Sequence, residues 1–192
     1  MDFPAGDLSP KATQILDAAI TCIGRVGLTK TTLDDVARAA GCARATVYRS
    51  FSNKQQLLVA LVAREAGALR AAVVREAASC DTLADAITAT ITTSVEFLGS
   101  HPALTFVCAH EPDVLIPYLA FEREDAVLVA PAFTRFLDDA EATRLGEWIA
   151  RITLSYLFSP SENFDIGDDV QVRALVDDFV VPGFVKSEGV SR

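Results

Sequence analysis

Metal-binding side chains are scarce in this chain of 192 residues. It has two histidines, and its four cysteines include no Cys-x-x-Cys pair. A structural zinc site needs about four ligands that the fold brings together. The sequence therefore predicts no metal site, and we expect the thiols to pack as small apolar side chains. The residues concerned are His101, His110, Cys22, Cys42, Cys80 and Cys108.

Long uncharged runs are also missing. The longest stretch without Asp, Glu, Lys or Arg extends from Phe97 to His110, and it contains Gly99 and Pro102. Because a membrane-spanning helix needs about 20 apolar residues, this stretch is too short. Residues 1–6 lack the basic start and the apolar run of a signal peptide. We therefore expect a soluble, cytoplasmic protein with no membrane partner.

Familiar catalytic motifs are absent too. The sequence has no His-Glu-x-x-His, Gly-x-Ser-x-Gly, Gly-x-Gly-x-x-Gly or Walker-type run. Some pairs invite a catalytic or metal-binding interpretation, namely His110–Glu111, Asp138–Asp139, Asp168–Asp169 and Asp177–Asp178. Helix caps and solvated faces explain these pairs better, since negative charge is favoured near helix starts. We therefore predict that the chain is not an enzyme and needs no cofactor.

Charge is distributed unevenly along the chain. The net charge of −9 argues against nucleic-acid binding by the chain as a whole. Residues 1–54, however, carry a net charge of +2, and the remainder carries −11. A polyanion would therefore be attracted to the N-terminal end and repelled by the rest.

Apolar residues recur every three or four positions along most of the chain, which is typical of amphipathic helices. Neither strand alternation nor an Asn-Gly or Asp-Gly hairpin turn is evident. We therefore predict an all-α fold of about nine helices. The better-defined helices are expected over residues 10–26, 33–40, 43–51, 54–78, 82–98, 139–158 and 168–181, with breaks at Pro102, Pro112, Pro117 and Pro131.

Two of the short predicted helices meet at Gly41, a residue suited to the left-handed backbone of a tight turn. Val36, Ala40 and Val47 have the spacing that buries one face of each helix. Helices joined in this way form a helix-turn-helix, whose second helix enters the major groove of DNA. Arginines there can hydrogen-bond guanine, and hydroxyls and cations can hold phosphates. The outward residues of that helix are Arg44, Thr46, Tyr48, Arg49 and Ser50.

The run TTLDDVARAAGCARATVYRSFSNK, residues 31–54, resembles the DNA-binding segment of the TetR-like repressors. Upstream residues fit the same pattern, so the resemblance covers about residues 12–58; they include Ile15, Ala18, Ala19, Ile23, Gly27 and Leu28. The resemblance implies a three-helix DNA-binding domain at residues 1–54. It also implies a larger helical domain at residues 55–192 that binds an effector and dimerises.

The resemblance implies specific contacts with double-stranded DNA. Arg44 aligns with a base-contacting position, and Ala45 would lie near a base edge such as a thymine methyl group. Contacts with phosphates, or further contacts in the groove, are implied for Thr31, Thr32, Thr46, Tyr48, Arg49, Ser50 and Lys54. The two threonines would use the N-terminal dipole of their helix. Ser50 stands where the family usually has Tyr or His, which shortens its reach to a phosphate.

Family members bind DNA as dimers, because a palindromic site requires two recognition helices about 34 Å apart. We expect the last two long helices to form the homodimer interface as a four-helix bundle. Their apolar stripes consist of Leu145, Trp148, Ile149, Ile152, Tyr156, Val172, Leu175, Val176 and Phe179. The alternative is that these stripes form the core within one chain, and both can hold.

The resemblance also places a ligand cavity in the middle of the chain, where prolines interrupt helices and can leave irregular space. The candidates for contact with a small apolar effector are Phe97, Leu104, Phe106, Val107, Tyr118, Phe121, Phe133 and Phe136. A filled core is the alternative explanation of any one of these side chains.

The sequence thus favours a ligand-responsive repressor that is released from its operator by an apolar effector. The alternative is a constitutive or architectural DNA-binding protein that has no effector.

Overall fold

The computed structural model describes residues 8–115 and 128–184. Within these residues the chain is helical and contains no β-strand, which confirms the all-α prediction. None of the described helices is both long enough and apolar enough to cross a membrane. The α-helices are α1 (Pro10–Val26), α2 (Leu33–Ala39), α3 (Arg44–Ser50), α4 (Lys54–Ala78), α5 (Leu83–Ser100), α6 (Pro102–His110), α7 (Pro112–Leu115), α8 (Asp139–Phe158) and α9 (Asp169–Leu175).

Polar side chains cap the starts of α1 and α4, at the residues where the sequence predicts these helices to begin. Ser9 precedes α1, and its side-chain oxygen accepts the N–H of Ala12 at 3.2 Å. Asn53 precedes α4, and its Oδ1 accepts the N–H of Gln56 at 2.8 Å. These side chains satisfy N–H groups that the first turn of a helix leaves without a partner. Both predicted helix starts are therefore confirmed.

The predicted break at Pro102 separates α5 from α6. Nδ1 of His101 accepts the N–H of Leu104 at 3.2 Å, and Pro102 takes the first position of α6, where no N–H donor is needed. α6 packs closely against α1, since a Cβ placed on Gly24 would lie 3.0 Å from Cβ of Pro102. The absence of a side chain at Gly24 allows this approach.

The chain divides into two compact units. The first comprises residues 1–68 and 98–121, and the second comprises residues 69–97 and 122–192. The core of the first unit draws on α1 to α4, and α6 adds Ala103 and Val107, which are 5% and 3% exposed. α6 thus packs with the helix-turn-helix, because its apolar side chains complete the same core. The functional domain boundary at residue 54 stays a prediction.

Within the second unit, Arg173 connects α9 to α5. Its guanidinium forms ion pairs with Asp85, in the first turn of α5, and with Asp177. Hydrogen bonds from Thr82 and from Arg173 hold the pKa of Asp85 below its ordinary value, although desolvation acts in the opposite direction. Asp85 therefore remains a charged partner for the arginine at neutral pH.

The last predicted helix, residues 168–181, changes its hydrogen-bonding pattern along its length. Asp168 caps α9, and its Oδ1 accepts the N–H of Val170 at 2.9 Å. A π-helical turn, Val176–Val180, and a 3-10 turn, Val181–Gly183, follow without interruption. Pro182 has no N–H to donate, so an α-helical pattern cannot run through this end.

Candidate nucleic-acid interface

The turn between α2 and α3 is a Schellman motif. Gly41 has a φ of +59°, the N–H of Cys42 donates to the carbonyl of Ala37 at 3.0 Å, and the N–H of Gly41 donates to the carbonyl of Arg38 at 3.2 Å. Glycine adopts this left-handed backbone without steric cost. The turn ends α2 sharply and lets α3 leave in a new direction, as a helix-turn-helix requires.

α3 presents nearly all of its side chains to solvent. Of its seven residues, all of which the structure describes, Val47 alone is buried, at 0% exposure. Thr46 and Lys54 are half-buried. The exposed candidates for DNA contact are Thr32, Arg44, Ala45, Tyr48, Arg49 and Ser50. An exposed helix with cationic and hydroxyl side chains is suited to the major groove.

Thr31 lies in a different environment from the predicted one. It is 3% exposed, and its hydroxyl donates to the carbonyl of Gly27 at 2.7 Å. A hydroxyl that is buried and already bonded does not reach a phosphate, so the structure corrects this assignment. Thr31 instead stabilises the loop between α1 and α2.

Thr32 caps α2 and remains exposed. Its Oγ1 accepts the N–H of Asp35 at 3.2 Å, and the carboxylate of Asp35 accepts the N–H of Thr32 at 3.2 Å. This reciprocal arrangement is a capping box. Hydrogen bonds from Thr32 and the ion pair with Arg38 outweigh desolvation and hold the pKa of Asp35 below its ordinary value. The charged carboxylate stabilises the start of α2, where the helix dipole favours an anion.

Arg44, the candidate for base contact, occupies the first position of α3 and forms an ion pair. Its Nε lies 2.5 Å from Oδ1 of Asp34, in the first turn of α2. The side chain of Arg44 is nevertheless 68% exposed. Sequence reasoning assigned no role to Asp34, because only the turn at Gly41 brings the starts of the two helices together.

The side chain of Lys54 extends from the start of α4 to the loop that follows α1. Its Nζ donates to the carbonyls of Leu28 at 2.5 Å and of Thr29 at 3.3 Å. Desolvation lowers the pKa of Lys54, and the nearby carboxylate of Glu111 acts in the opposite direction. Lys54 therefore stabilises this loop in addition to supplying a positive charge that a phosphate could meet.

Glu111, which follows α6, binds the same loop through its N–H groups. Its carboxylate accepts the N–H of Leu28 at 2.6 Å and that of Thr29 at 3.2 Å. Desolvation alone would raise the pKa of Glu111, but these hydrogen bonds and Lys54 outweigh it, so the pKa lies below its ordinary value. Glu111 is the C-cap residue of α6, and its half-buried side chain bonds this loop rather than a helix terminus. We call Lys54, Glu111 and residues 27–29 the loop clamp.

The candidate effector residues are divided between the two units. Leu104, Phe106 and Val107 belong to the first unit, Phe97, Phe133 and Phe136 belong to the second, and Tyr118 and Phe121 lie outside the described residues. Val107 and Phe133 are 3% and 0% exposed. A filled core accounts for the burial of these two side chains without a ligand.

The candidate dimer residues fall into buried and accessible groups. The buried group is at most 1% exposed and forms part of the core of the second unit: Leu145, Ile149, Val172 and Val176. The half-buried group consists of Trp148, Ile152, Tyr156 and Leu175. Phe179 is 79% exposed. Because a buried side chain cannot contact a second subunit, the structure corrects the assignment of the first group and leaves Phe179 as the most accessible candidate.

Potential metal ligands are dispersed. In the part of the chain that the structure describes, no group of three or more His, Cys, Asp or Glu side chains lies close enough to hold a metal ion. The four cysteines are free thiols. Cys22 is buried, and desolvation raises its pKa. It therefore packs as a small neutral side chain.

The segment that forms the helix-turn-helix matches a known family. Residues 15–61 match the family model described as bacterial regulatory proteins, tetR family. Over 186 residues, the chain is 29% identical to an uncharacterized HTH-type transcriptional regulator of Mycobacterium tuberculosis (strain H37Rv), with 94% of this chain and 89% of that relative covered.

Solved structures share the fold. The TetR family repressor AlkX from Dietzia sp. strain DQ12-45-1b, implicated in biodegradation of n-alkanes, has a TM-score of 0.67 at 19% identity, with 90% of this chain and 96% of that chain covered. The transcriptional regulator FadR from Bacillus subtilis, in complex with stearoyl-CoA, has a TM-score of 0.55 at 16% identity, with 85% and 96% covered. The matched helix-turn-helix segment, the similarity to an HTH-type regulator and the shared helical architecture together support a TetR-like, DNA-binding transcriptional regulator.

Proposed function

We propose that the chain is a ligand-responsive repressor, which binds a palindromic operator as a homodimer and leaves the DNA when a small apolar effector binds. The observation that carries the proposal is the exposed α3, on which Val47 alone is buried. The major groove is about 12 Å wide and admits such a helix. A protein with this function works in the cytoplasm, where a bacterial chromosome lies.

Within this proposal, residues near the start of α3 contact bases. Arg44 donates to a guanine, and Ala45 lies near a thymine methyl group. Phosphates and the walls of the groove are contacted by Thr32, Thr46, Tyr48, Arg49, Ser50 and Lys54. The charge distribution supports this division, because residues 1–54 carry +2 whereas the remainder carries −11. Phosphates are therefore attracted to the helix-turn-helix rather than to the rest of the protein.

Replacement of Arg44 by alanine tests the base contact. We expect Arg44→Ala to relax the base preference at one operator position, at a cost of about 1–3 kcal/mol. The measurement compares the affinity for a duplex selected by the wild-type protein from a randomised library with the affinities for its single-base variants. An unchanged preference at every position would refute the base contact.

Replacement of Lys54 by alanine tests a phosphate contact, in contrast to the base contact tested at Arg44. It should weaken the binding of all duplexes alike and lower the slope of log affinity against log salt by about one. Because the loop clamp is also lost, the melting temperature should fall. Arg75→Ala is the control on the same helix, since Arg75 pairs with Glu76 at 3.1 Å and belongs to the second unit. A Lys54 variant that changes the ranking of duplexes would contradict a phosphate contact.

Phe179 supports the proposed homodimer. A phenylalanine that is 79% exposed gains most if a second subunit covers it. Phe179→Arg should shift the protein towards monomers in sedimentation velocity, because a central aromatic residue contributes about 2 kcal/mol or more and a two-fold interface contains it twice. Phe179→Leu, which keeps an apolar side chain, is the control. An unchanged dimer population in the arginine variant would exclude Phe179 from the interface.

The proposed effector carries an acyl or alkyl chain. This class is suggested by the n-alkane degradation named for AlkX and by the stearoyl-CoA bound to FadR, and it suits the apolar residues in the middle of this sequence. The effector would bind a conformation in which the two recognition helices are wrongly spaced for DNA. Binding then shifts the population away from the DNA-bound state.

The second candidate function is constitutive DNA binding without an effector, which the burial of Val107 and Phe133 within the cores favours. Stearoyl-CoA separates the two candidates. A repressor of the proposed kind should show a raised melting temperature with this ligand and release of the selected duplex. A constitutive protein keeps the duplex at every ligand concentration.

A further inference from the structure

The ion pair between Asp34 and Arg44 joins the starts of α2 and α3. Nε of Arg44 lies 2.5 Å from Oδ1 of Asp34, and that oxygen is shielded from solvent. Its N–H···O alignment falls outside hydrogen-bond geometry, so attraction between the two charges holds the contact. The side chain of Asp34 is 35% exposed and that of Arg44 is 68% exposed. One partner is thus largely held within the fold, while the other extends into solvent.

The contact uses one edge of the guanidinium. The ion pair engages Nε, whereas bidentate recognition of guanine O6 and N7 requires a pair of N–H donors in the fork of the arginine. Because Nη1 and Nη2 form such a pair, Arg44 can bind guanine without leaving Asp34. The carboxylate and the base are therefore not competitors for the same nitrogen atoms.

Arg44 also needs a compensating charge where it lies. It occupies the first position of α3, and Ala43 before it provides no side-chain cap. A cation is disfavoured at a helix N-terminus, where the dipole is positive. Asp34 offsets this repulsion, so the carboxylate both stabilises the guanidinium and restricts its orientation.

We propose that Asp34 is a positioning residue for base recognition: it holds Arg44 through Nε so that the terminal nitrogens of the guanidinium meet guanine. This inference rests on the proposed function, in which Arg44 contacts a base. A long side chain that is already restricted loses less rotamer freedom on binding. The same carboxylate repels phosphates, so Asp34 raises discrimination between bases while it lowers the affinity for unrelated DNA.

The test uses the full chain and the duplex that the wild-type protein selects from a randomised library. Discrimination is the ratio of affinities for this duplex and for its variants at the base pair where Arg44→Ala loses preference. Asp34→Asn should lower this ratio by about 2- to 10-fold, the equivalent of ordering one long side chain. Affinity for a scrambled duplex should stay equal or increase. A loss of structure would instead lower the affinities for both duplexes.

Two further variants sharpen the test. Asp17→Asn removes a different aspartate of the first unit, one that pairs with Arg64 at 2.7 Å, and it should leave discrimination unchanged. Asp34→Ser also removes the carboxylate, and it replaces Asp34→Asn in the test if that variant does not fold. It should show the same decrease in discrimination. In an Arg44→Ala background, Asp34→Asn should cause no further loss of discrimination.

The outcomes separate the inference from the proposed function. If folded Asp34→Asn or Asp34→Ser keeps wild-type discrimination while Arg44→Ala loses it, the positioning role is wrong and the base contact stands. If Arg44→Ala also keeps wild-type discrimination at every position, the base contact itself is wrong. A decrease in affinity for the scrambled duplex that parallels the loss for the selected one would show that Asp34 acts only on folding.

Discussion

A fragment of residues 1–68 should fail to show a cooperative unfolding transition, although it contains the whole helix-turn-helix. α6 supplies Ala103 and Val107 to the core of the first unit, and Glu111 follows it. Burial of a valine side chain contributes about 1.5–3 kcal/mol. A domain of about 60 residues buries little apolar surface and has a small margin of stability. Without α6, the core loses these two side chains and the face of α1 that they cover becomes exposed to solvent. We expect this loss of apolar burial to exceed most of the fragment's free energy of unfolding.

Urea unfolding of this fragment, followed by circular dichroism, provides the measurement. A synthetic peptide of residues 98–115, added in excess, should restore a transition because it returns α6 and Glu111. The same peptide with Val107→Asp is the control and should restore none. If the fragment alone unfolds cooperatively, with the same midpoint urea concentration as the full chain, α6 is dispensable for the stability of the helix-turn-helix.

Gly27→Ala should destabilise the protein by about 2.5–6 kcal/mol. Gly27 has a φ of +89°, a conformation that residues with a side chain rarely adopt. A Cβ there would lie 2.7 Å from Oε1 of Glu111, so the alanine must displace the carboxylate that binds the loop. Backbone strain contributes about 1–3 kcal/mol, and the lost charge-assisted hydrogen bonds contribute about 1.5–3 kcal/mol. Thermal and denaturant unfolding of the full chain measure the change.

Gly41→Ala is the matched control for this substitution. Gly41 also has a positive φ, +59°, but among the described residues no atom other than those of Gly41 and its chain neighbours lies within 4 Å of the position that its Cβ would take. Its replacement should therefore cost only the left-handed backbone strain, about 1–2 kcal/mol. The double variant Gly27→Ala with Glu111→Ala should lose less stability than the sum of the single changes, because the steric conflict is gone. Equal losses for Gly27→Ala and Gly41→Ala would contradict the loop clamp.

The elements that sequence reasoning predicted well are those with local causes. Ser9 and Asn53 cap the helices that follow them, and His101–Pro102 separates α5 from α6, because each of these residues bonds or restricts the backbone within four positions. The exposed face of α3 is of the same kind, since the three-and-four-residue period places Val47 inward. Such features are readable because the interacting groups are close in the chain.

Failures of sequence reasoning concern contacts between distant residues. Thr31 carries a hydroxyl of the kind that contacts phosphates, yet this hydroxyl donates a hydrogen bond to the carbonyl of Gly27 inside the loop. The apolar stripes of the last two predicted helices have the same spacing throughout, but Leu145 and Val172 fill the core of the second unit, while Phe179, in the π-helical turn after α9, is exposed. Periodicity reveals that a face is apolar, and it does not reveal whether the same chain or a second one covers it.

By itself, the sequence determined that the protein is helical, that Gly41 permits a tight turn and that cationic and hydroxyl side chains lie outward on the helix after it. These properties depend on backbone geometry and on the period of a helix, which act over a few residues. Only the tertiary structure decided that Glu111 binds the backbone of Leu28, 83 residues away, and that Asp34 pairs with Arg44. Charged side chains pair with groups that lie close to them in space, and residues distant in the sequence come close only when the helices have packed.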